Sequence, residues 1–142
     1  MDAGCALCDE LKRKDSVAFE TENAFVLVNL RPLKLGHIMI LPKRHVEVFD
    51  GLTPSEAHEM FSLIERCTRA LGKEYKVYPF VCINPPHRRS ELHVHIHLVP
   101  SSNGVREFLS RLENVPMNEE APKHIRLEMK DRISRLLSSQ KP

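Results

Sequence analysis

The sequence has little net charge and no long hydrophobic run. Its 21 Lys and Arg residues exceed its 19 Asp and Glu residues by two, a balance that gives no general argument for binding nucleic acid or a membrane surface. No apolar run approaches the roughly 20 residues that a membrane-spanning helix needs. The first residues also lack the basic and apolar regions of a signal peptide. We therefore expect a cytoplasmic protein that binds neither nucleic acid nor a membrane.

Cysteines are few as well, four in 142 residues. A chain of this size without an export signal is a poor candidate for a disulfide framework. The hydrophobic fraction of 42% and the charged fraction of 28% are those of an ordinary globular protein, and the length suits one domain with its own core. We expect a single domain over residues 1–142.

Local patterns predict an α+β fold built on an antiparallel sheet. Thr53, Pro54 and Glu56 form a capping-box signal for a long helix, and Gly72 is its expected terminator. An apolar stripe predicts a C-terminal helix over residues 123–137, and a short helix is expected over residues 105–112. Strands are predicted at residues 17–20, 24–30, 37–41, 77–83 and 92–99.

The last of these strands carries a histidine at every second position, His93, His95 and His97. Alternate side chains of a strand share a face, about 6.5–7 Å apart, so the three imidazoles should line one face and aliphatic residues the other. Three readings are open: a structural strand face, a metal site in which the imidazoles are ligands, and nucleophilic catalysis in which a neutral imidazole attacks phosphorus.

The histidine strand resembles the His-φ-His-φ-His-φ-φ signature (φ, apolar) of the histidine triad (HIT) superfamily of nucleotide hydrolases and transferases. The matching residues are His93-Val94-His95-Ile96-His97-Leu98-Val99. A second block also resembles the family, Asn29-Leu30-Arg31-Pro32 followed by Gly36-His37-Ile38-Met39-Ile40-Leu41-Pro42. The resemblance implies a HIT-like antiparallel sheet with one main helix and a C-terminal helix, and a homodimer. It covers residues 5–100 and leaves a C-terminal helical extension over residues 101–142.

By resemblance, His95 is the nucleophile that attacks the α-phosphorus and forms a nucleotidyl-histidine intermediate, which water or a second acceptor resolves. His97 and His37 then contact the phosphate or the leaving group. Asn29 takes the position that binds the ribose hydroxyls. Asn84 lies on the loop that approaches the phosphate, and Ser90 matches a hydroxyl donor.

One position departs from the family. Many relatives have a Gln just before the Ser, where this chain has Arg89. Arg88-Arg89 is either a solvated loop or an electrostatic clamp on a polyphosphate or a phosphorylated leaving group. The departure concerns the substrate and leaves the nucleophile as predicted.

Cys5 and Cys8 form a C-x-x-C that lacks the βαβ context of a redox motif. Two cysteines and two histidines are a common tetrahedral zinc set. Some HIT relatives complete such a site with histidines at the positions of His45 and His93, so the resemblance implies a structural zinc ion. Two cysteines without a metal remain the alternative.

The sequence therefore favours a nucleotide hydrolase or nucleotidyltransferase acting through His95. Two alternatives stay open at this point. One is a metal-dependent hydrolase with all three triad histidines as zinc ligands, and the other is a nucleotide-binding module without turnover.

Overall fold

The computed structural model describes residues 4–140. The chain divides after Gly104 into two compact units, which are described separately below. The prediction of one domain over residues 1–142 stays a prediction.

The first unit is built on one antiparallel sheet of five strands, with spatial order β1-β2-β3-β5-β4. The fold class is therefore α+β, as predicted. One helix and two strands precede the loop that leads to the third strand, and the other elements follow that loop. The bounds are α1 Ala6–Arg13, β1 Val17–Glu20, β2 Ala24–Val28, β3 Ile38–Pro42, α2 Pro54–Tyr75, β4 Pro79–Cys82 and β5 Ile96–Pro100.

The two faces of the sheet bury different residues of the same strands. Ala24 and Val26 of β2 pack in one cluster with Met60 and Leu63 of α2. Phe25 and Leu27 of β2, together with Met39 and Leu41 of β3, pack in a second cluster with Leu7 of α1. This alternation follows from the two-residue period of a strand, and it places α2 on one face of the sheet and α1 on the other.

The histidine strand obeys the same alternation. Val94, Ile96 and Leu98 belong to the cluster on the α2 face. His97 pairs in register with Met39 of β3 and Cys82 of β4, and Met39 belongs to the cluster on the α1 face. The imidazole at residue 97 therefore lies on the side of the sheet that α1 covers.

β5 begins later than the sequence pattern predicts, at Ile96 instead of residue 92. The ladder with β3 starts only at the pair Ile40–Ile96, and the backbone before it bonds elsewhere, since Val94 N–H donates to Val46 O at 2.6 Å. Two of the three histidines therefore precede the ladder on a segment tied to the loop after β3.

The long helix α2 has the predicted N-terminus but runs past the predicted end. Thr53 and Glu56 form a complete capping box, with Pro54 at the first position. Gly72 lies within the helix, which ends at Tyr75 with Lys76 in the left-handed conformation at φ 60°. A Cβ at Gly72 would stand 3.0 Å from the Tyr78 ring, so this glycine accommodates an aromatic ring instead of ending the helix.

β4 begins at Pro79 and is an edge strand. Proline has no N–H to give to a ladder, and both the late start and the edge position follow from that. β2 is shorter than predicted, ending at Val28, and β3 includes Pro42, which pairs with Ala24.

The second unit contains two helices, α3 Val105–Glu113 and α4 Lys123–Ser138. The apolar stripe of α4 is exposed; its members are Ile125, Met129, Ile133, Leu136 and Leu137. None of the described helices combines the length and the apolar character that crossing a membrane requires.

Candidate active site and metal centre

A cavity of about 240 Å³ lies at the histidine-bearing face. The structure brings six of the predicted site residues together around it: Asn29, Asn84, Arg89, Ser90, His95 and His97. His37 does not line the cavity and lies behind His97 instead, with ring centroids 5.1 Å apart. The functional roles assigned to these residues stay predictions, whereas their proximity is a property of the fold.

His95 is buried and its ring is held by a backbone carbonyl. Nδ1 lies 2.6 Å from the carbonyl oxygen of His93. Because a carbonyl can only accept, Nδ1 carries the proton and Nε2 of the neutral ring keeps its lone pair. His95 therefore presents an unprotonated nitrogen, the form that a nucleophile or a general base needs.

His37 and His97 form a directional pair. The backbone N–H of Leu33 donates to Nδ1 of His37 at 3.1 Å, so the neutral His37 ring carries its proton on Nε2. That nitrogen lies 2.9 Å from Nδ1 of His97, which must then accept and leave the His97 proton on Nε2. His97 is thus prepared to donate a hydrogen bond from Nε2.

The two asparagines flank this pair. Nδ2 of Asn29 lies 3.2 Å from Nε2 of His37, and its Oδ1 accepts from the N–H of Arg31 at 2.8 Å. Nδ2 of Asn84 lies 3.4 Å from Nε2 of His97. In the tautomers assigned above, both amide nitrogens face imidazole N–H groups, so neither asparagine nitrogen bonds to this pair, and Asn84 and His97 both present donors at the wall of the cavity.

Burial keeps these imidazoles neutral at pH 7. It lowers the pKa of His95 and of His37 below the ordinary value of 6.5. It lowers the pKa of His97 to about 4, with smaller contributions from the neighbouring histidines in the same direction. A charged imidazole loses hydration when it is buried, so the neutral form is favoured.

A second cluster joins the N-terminus of α1 to the segment before β5. The ligand atoms of Cys5, Cys8, His45 and His93 all lie within 4.8 Å of one another. Nδ1 of His93 is 3.5 Å from Sγ of Cys5 and 3.4 Å from Sγ of Cys8, and Nδ1 of His45 is 3.5 Å from Sγ of Cys8. These four residues can hold a metal ion.

The donor set and its spacing fit a tetrahedral ion. Metal–sulfur and metal–nitrogen bonds of 2.3 and 2.0–2.1 Å at a tetrahedral angle put sulfur and nitrogen about 3.6 Å apart, close to the three S···N distances. His93 is also in the right tautomer, because Nε2 lies 3.0 Å from the carbonyl oxygen of Pro42 and must donate to it. Its Nδ1 lone pair is therefore directed at the two sulfurs.

The three triad histidines do not form a metal site together. His93 points its free nitrogen at the cysteines, while Nδ1 of His95 is occupied by a carbonyl. Among residues 4–140, no other group of three or more His, Cys, Asp or Glu residues brings its ligand atoms together in this way. The alternative of a hydrolase with all three triad histidines on zinc finds no support in this geometry.

Comparison with known proteins gives the family. A family model described as the HIT domain matches residues 10–104. The chain belongs to the HIT family. The resemblance seen in its motifs is thereby confirmed, as is the HIT-like fold.

Individual HIT proteins resemble the chain more distantly. It is 28% identical over 116 residues to a bis(5'-adenosyl)-triphosphatase from Dictyostelium discoideum, covering 80% of this chain and 78% of the relative. It is 31% identical over 93 residues to the nitrilase and fragile histidine triad fusion protein of Caenorhabditis elegans. That match covers 63% of this chain, which spans only 21% of the fusion protein.

One solved HIT structure is that of a zinc-bound protein. The crystal structure of a zinc-bound histidine triad family protein from Mycobacterium smegmatis superposes with a TM-score of 0.62 at 24% identity, covering 72% of this chain and 78% of that one. This likeness supports the fold.

The departure of this HIT chain at Arg89 has a definite geometry. Nε donates to the carbonyl oxygen of Asn84 at 2.8 Å, and Nη1 donates to the carbonyl oxygen of Glu47 at 2.7 Å. The guanidinium thus connects the loop after β4 with the loop after β3, at the rim of the histidine cavity.

Some groups of the site were missed by sequence reasoning. Arg31 and Glu91 line the cavity, and neither was given a role, although Arg31 stands in the quoted block Asn29-Leu30-Arg31-Pro32 and Glu91 follows Ser90. The carbonyls of His93 and Pro42 and the N–H of Leu33 set the histidine tautomers. A hydrogen bond from the other ring nitrogen of the nucleophile, often to a backbone carbonyl, was expected, but backbone groups carry no residue-type signal, so no motif could have identified which groups make these bonds.

Proposed function

We propose that this HIT protein is a nucleotide hydrolase or nucleotidyltransferase that cleaves its substrate at the α-phosphate. The observation that carries the proposal is the unprotonated Nε2 of His95, set by the bond from Nδ1 to the His93 carbonyl, in a ring that lines the cavity. The triphosphatase activity in the name of the Dictyostelium relative supports the same class of reaction.

In the first step, the lone pair on Nε2 of His95 forms a bond to the α-phosphorus. The P–O bond to the leaving group breaks, and its electron pair stays on the leaving oxygen. Nε2–H of His97 is placed to donate to that oxygen or to a phosphate oxygen. Nδ1 of His95 keeps its proton and its bond to the carbonyl, which stabilises the charged ring in the nucleotidyl-histidine intermediate.

In the second step, water or another acceptor attacks phosphorus, and the P–N bond breaks. The electron pair returns to Nε2, so the neutral imidazole is regenerated, and the proton of the acceptor passes to solvent. Asn29 and Asn84 bind the substrate on either side of the histidine pair, and Ser90 donates to a phosphate oxygen.

We propose that the metal cluster holds zinc in a structural role. The zinc-bound HIT protein from Mycobacterium smegmatis and the Cys₂His₂ donor set support this assignment. Four protein ligands would leave the ion no open coordination position, which is the pattern of a structural site. It fastens α1 to the segment that carries His95 and supplies no reacting group.

The remaining proposals concern the surroundings of the enzyme. The partner is a nucleotide, and neither nucleic acid nor a membrane is expected. A homodimer and a cytoplasmic location are carried over from the sequence reasoning as proposals, which sedimentation and fractionation can test.

The test of the reaction is adduct trapping with His95→Ala beside it. Wild-type protein is mixed with dinucleoside polyphosphates, nucleotide sugars and phosphoramidates, quenched, and analysed by mass spectrometry. We expect a nucleotidyl adduct on His95 and a loss of at least about 1000-fold in kcat for H95A. Exposed His58 on α2 supplies the control, H58A, which should keep both turnover and adduct.

Two outcomes separate the alternatives. Wild-type turnover in H95A would refute the mechanism. Nucleotide binding by the wild type without product or adduct across the panel would favour the non-enzymatic nucleotide-binding module.

A further inference from the structure

Arg89 is a half-buried guanidinium whose position is set by two backbone carbonyls. Its bonds to Asn84 O and Glu47 O occupy two of its five N–H donors. The planar group is therefore held in place at the cavity rim with three donors remaining. A glutamine at this position has one NH₂ group and no charge, so it cannot make both bonds and also present a cation.

The charge around the cavity is predominantly positive. Three arginines, Arg31, Arg88 and Arg89, line it together with a single carboxylate, Glu91. Within residues 4–140, none of the three guanidinium groups lies within ion-pair distance of a carboxylate. The buried imidazoles beside them are neutral, so the arginines are the cations that a substrate meets.

Two kinds of leaving group would respond differently to such a rim. The α-phosphate bound to His95 carries the same charge in every nucleotide substrate. A leaving group that contains further phosphates adds negative charge beyond the scissile bond, and guanidinium binds phosphate oxygens with two parallel hydrogen bonds. A leaving group without phosphate has no phosphate oxygen to accept hydrogen bonds from Arg89.

We propose that Arg89 is a specificity-determining residue that selects substrates whose leaving group carries phosphate. The inference rests on the proposed function and names the substrate class of the same site. As Nε2 of His95 bonds to the α-phosphorus, the P–O bond breaks and its electron pair stays on the leaving phosphate oxygen. Arg89 donates to that phosphate and stabilises the added charge, with Arg88 and Arg31 contributing to the field.

The competing explanation is that Arg89 only connects two loops. Its carbonyl bonds would then order the loop after β4, and their loss would slow every substrate by a similar factor. The two explanations differ in whether the effect of substitution depends on the leaving group, which a matched pair of substrates can measure.

The experiment compares kcat/KM for two substrates that share the adenosine 5'-phosphoryl group. Diadenosine triphosphate releases ADP, whereas the 4-nitrophenyl ester of AMP releases a phenolate without phosphate. The full chain is assayed as wild type, R89Q and R89K, with R69Q as the control. Arg69 is an exposed residue of α2 paired with Glu65, and it does not line the cavity.

We expect R89Q to lower kcat/KM for diadenosine triphosphate by about 10- to 100-fold, the usual effect of a charge-assisted hydrogen bond. The loss should be at least tenfold larger than for the ester. R89K keeps the charge without the fixed fork, and it should retain part of the preference. R69Q should leave the ratio of the two rate constants unchanged.

Equal losses on both substrates for R89Q and R89K would overturn the proposal and leave Arg89 as a loop connector, with the His95 reaction intact. Turnover of neither substrate by the wild type, with no adduct on His95, would overturn the proposed function and this inference together. Melting curves and metal content show whether R89Q is folded, and R89K carries the comparison if it is not.

Discussion

At the residue scale, a single backbone group decides what each histidine can do. Nε2 of His93 donates to the Pro42 carbonyl, which leaves Nδ1 for the metal cluster. Nδ1 of His95 donates to the His93 carbonyl, which leaves Nε2 for the cavity. The same side chain two positions apart is thus a candidate metal ligand in one case and a candidate nucleophile in the other, because the opposite ring nitrogen is engaged.

The neutral state of the His95 ring leads to a prediction about how activity depends on pH. Burial lowers its pKa below 6.5, and only the unprotonated ring can attack phosphorus. Activity is therefore full above this pKa and falls as the pH drops through it. Under the proposed mechanism we expect kcat/KM for diadenosine triphosphate to fall toward acid pH with a midpoint below pH 6.5, measured in a constant-ionic-strength buffer series.

This substrate suits the measurement because it has no terminal phosphate, the group whose second ionisation lies near pH 6. The midpoint of the fall in kcat/KM at acid pH then reports a pKa of the enzyme and not of the substrate. A midpoint at or above pH 6.5 would contradict the prediction, since it would mean that burial does not disfavour the charged ring of His95.

At the element scale, strand periodicity was enough to predict which side chains share a face, but it gave no prediction of which strands pair. The alternation of histidine with Val94, Ile96 and Leu98 was enough to predict an aliphatic face, and these residues do pack against α2. The pairing of β5 with both β3 and β4 was not predictable, because register depends on contacts far apart in sequence. That register puts His37 against His97, a pair separated by 60 positions.

The bonds of Arg89 were also not predictable, because they join residues that are far apart in sequence. The sequence has an arginine where many relatives have a glutamine, and it left open whether this arginine is a solvated loop residue or part of an electrostatic clamp. Its two acceptors are carbonyl oxygens, one of them 42 positions away. The acceptor is the backbone carbonyl of Glu47, and its side chain plays no part, so residue types alone could not predict this bond.

The metal cluster ties α1 to the rest of the first unit, and breaking it should loosen that helix. We expect Cys8→Ser to lose bound zinc and to lower Tm by about 10 °C, as a loss of roughly 2 kcal/mol does in a domain of this size. The measurement is metal content by mass spectrometry together with thermal unfolding by circular dichroism, for the variant and for wild type before and after chelation.

Cys67→Ser is the matched control, since Cys67 is a half-buried cysteine of α2 packed on the other face of the sheet. It should keep its zinc while losing a modest amount of stability. If C8S retained a full equivalent of zinc, or if chelation left Tm unchanged, the structural zinc proposal would be wrong.

At the scale of the whole molecule, every residue of the cavity and of the metal cluster belongs to the unit that ends at Gly104. The HIT model ends at residue 104 as well. Two independent criteria, spatial compactness and family similarity, therefore divide the chain at the same place, close to the predicted end of the motif-bearing part at residue 100. The sequence predicts one domain over residues 1–142 because no linker composition marks a boundary, and this stays a prediction.

The division of the chain after residue 104 leads to a prediction about a shortened chain. Under the proposed function, a chain ending at residue 104 should retain zinc, form the adduct on His95 and keep kcat for diadenosine triphosphate within about threefold of the full chain, because it contains every residue that lines the cavity. Adduct mass, metal content and kcat are measured on both chains at equal concentration. The short chain with the H95A substitution gives the background rate in the absence of the proposed nucleophile. A short chain that folds and binds zinc but turns over at that background rate would show that residues 105–142 complete the active site, and the single-domain prediction would then be preferred to the two-unit description.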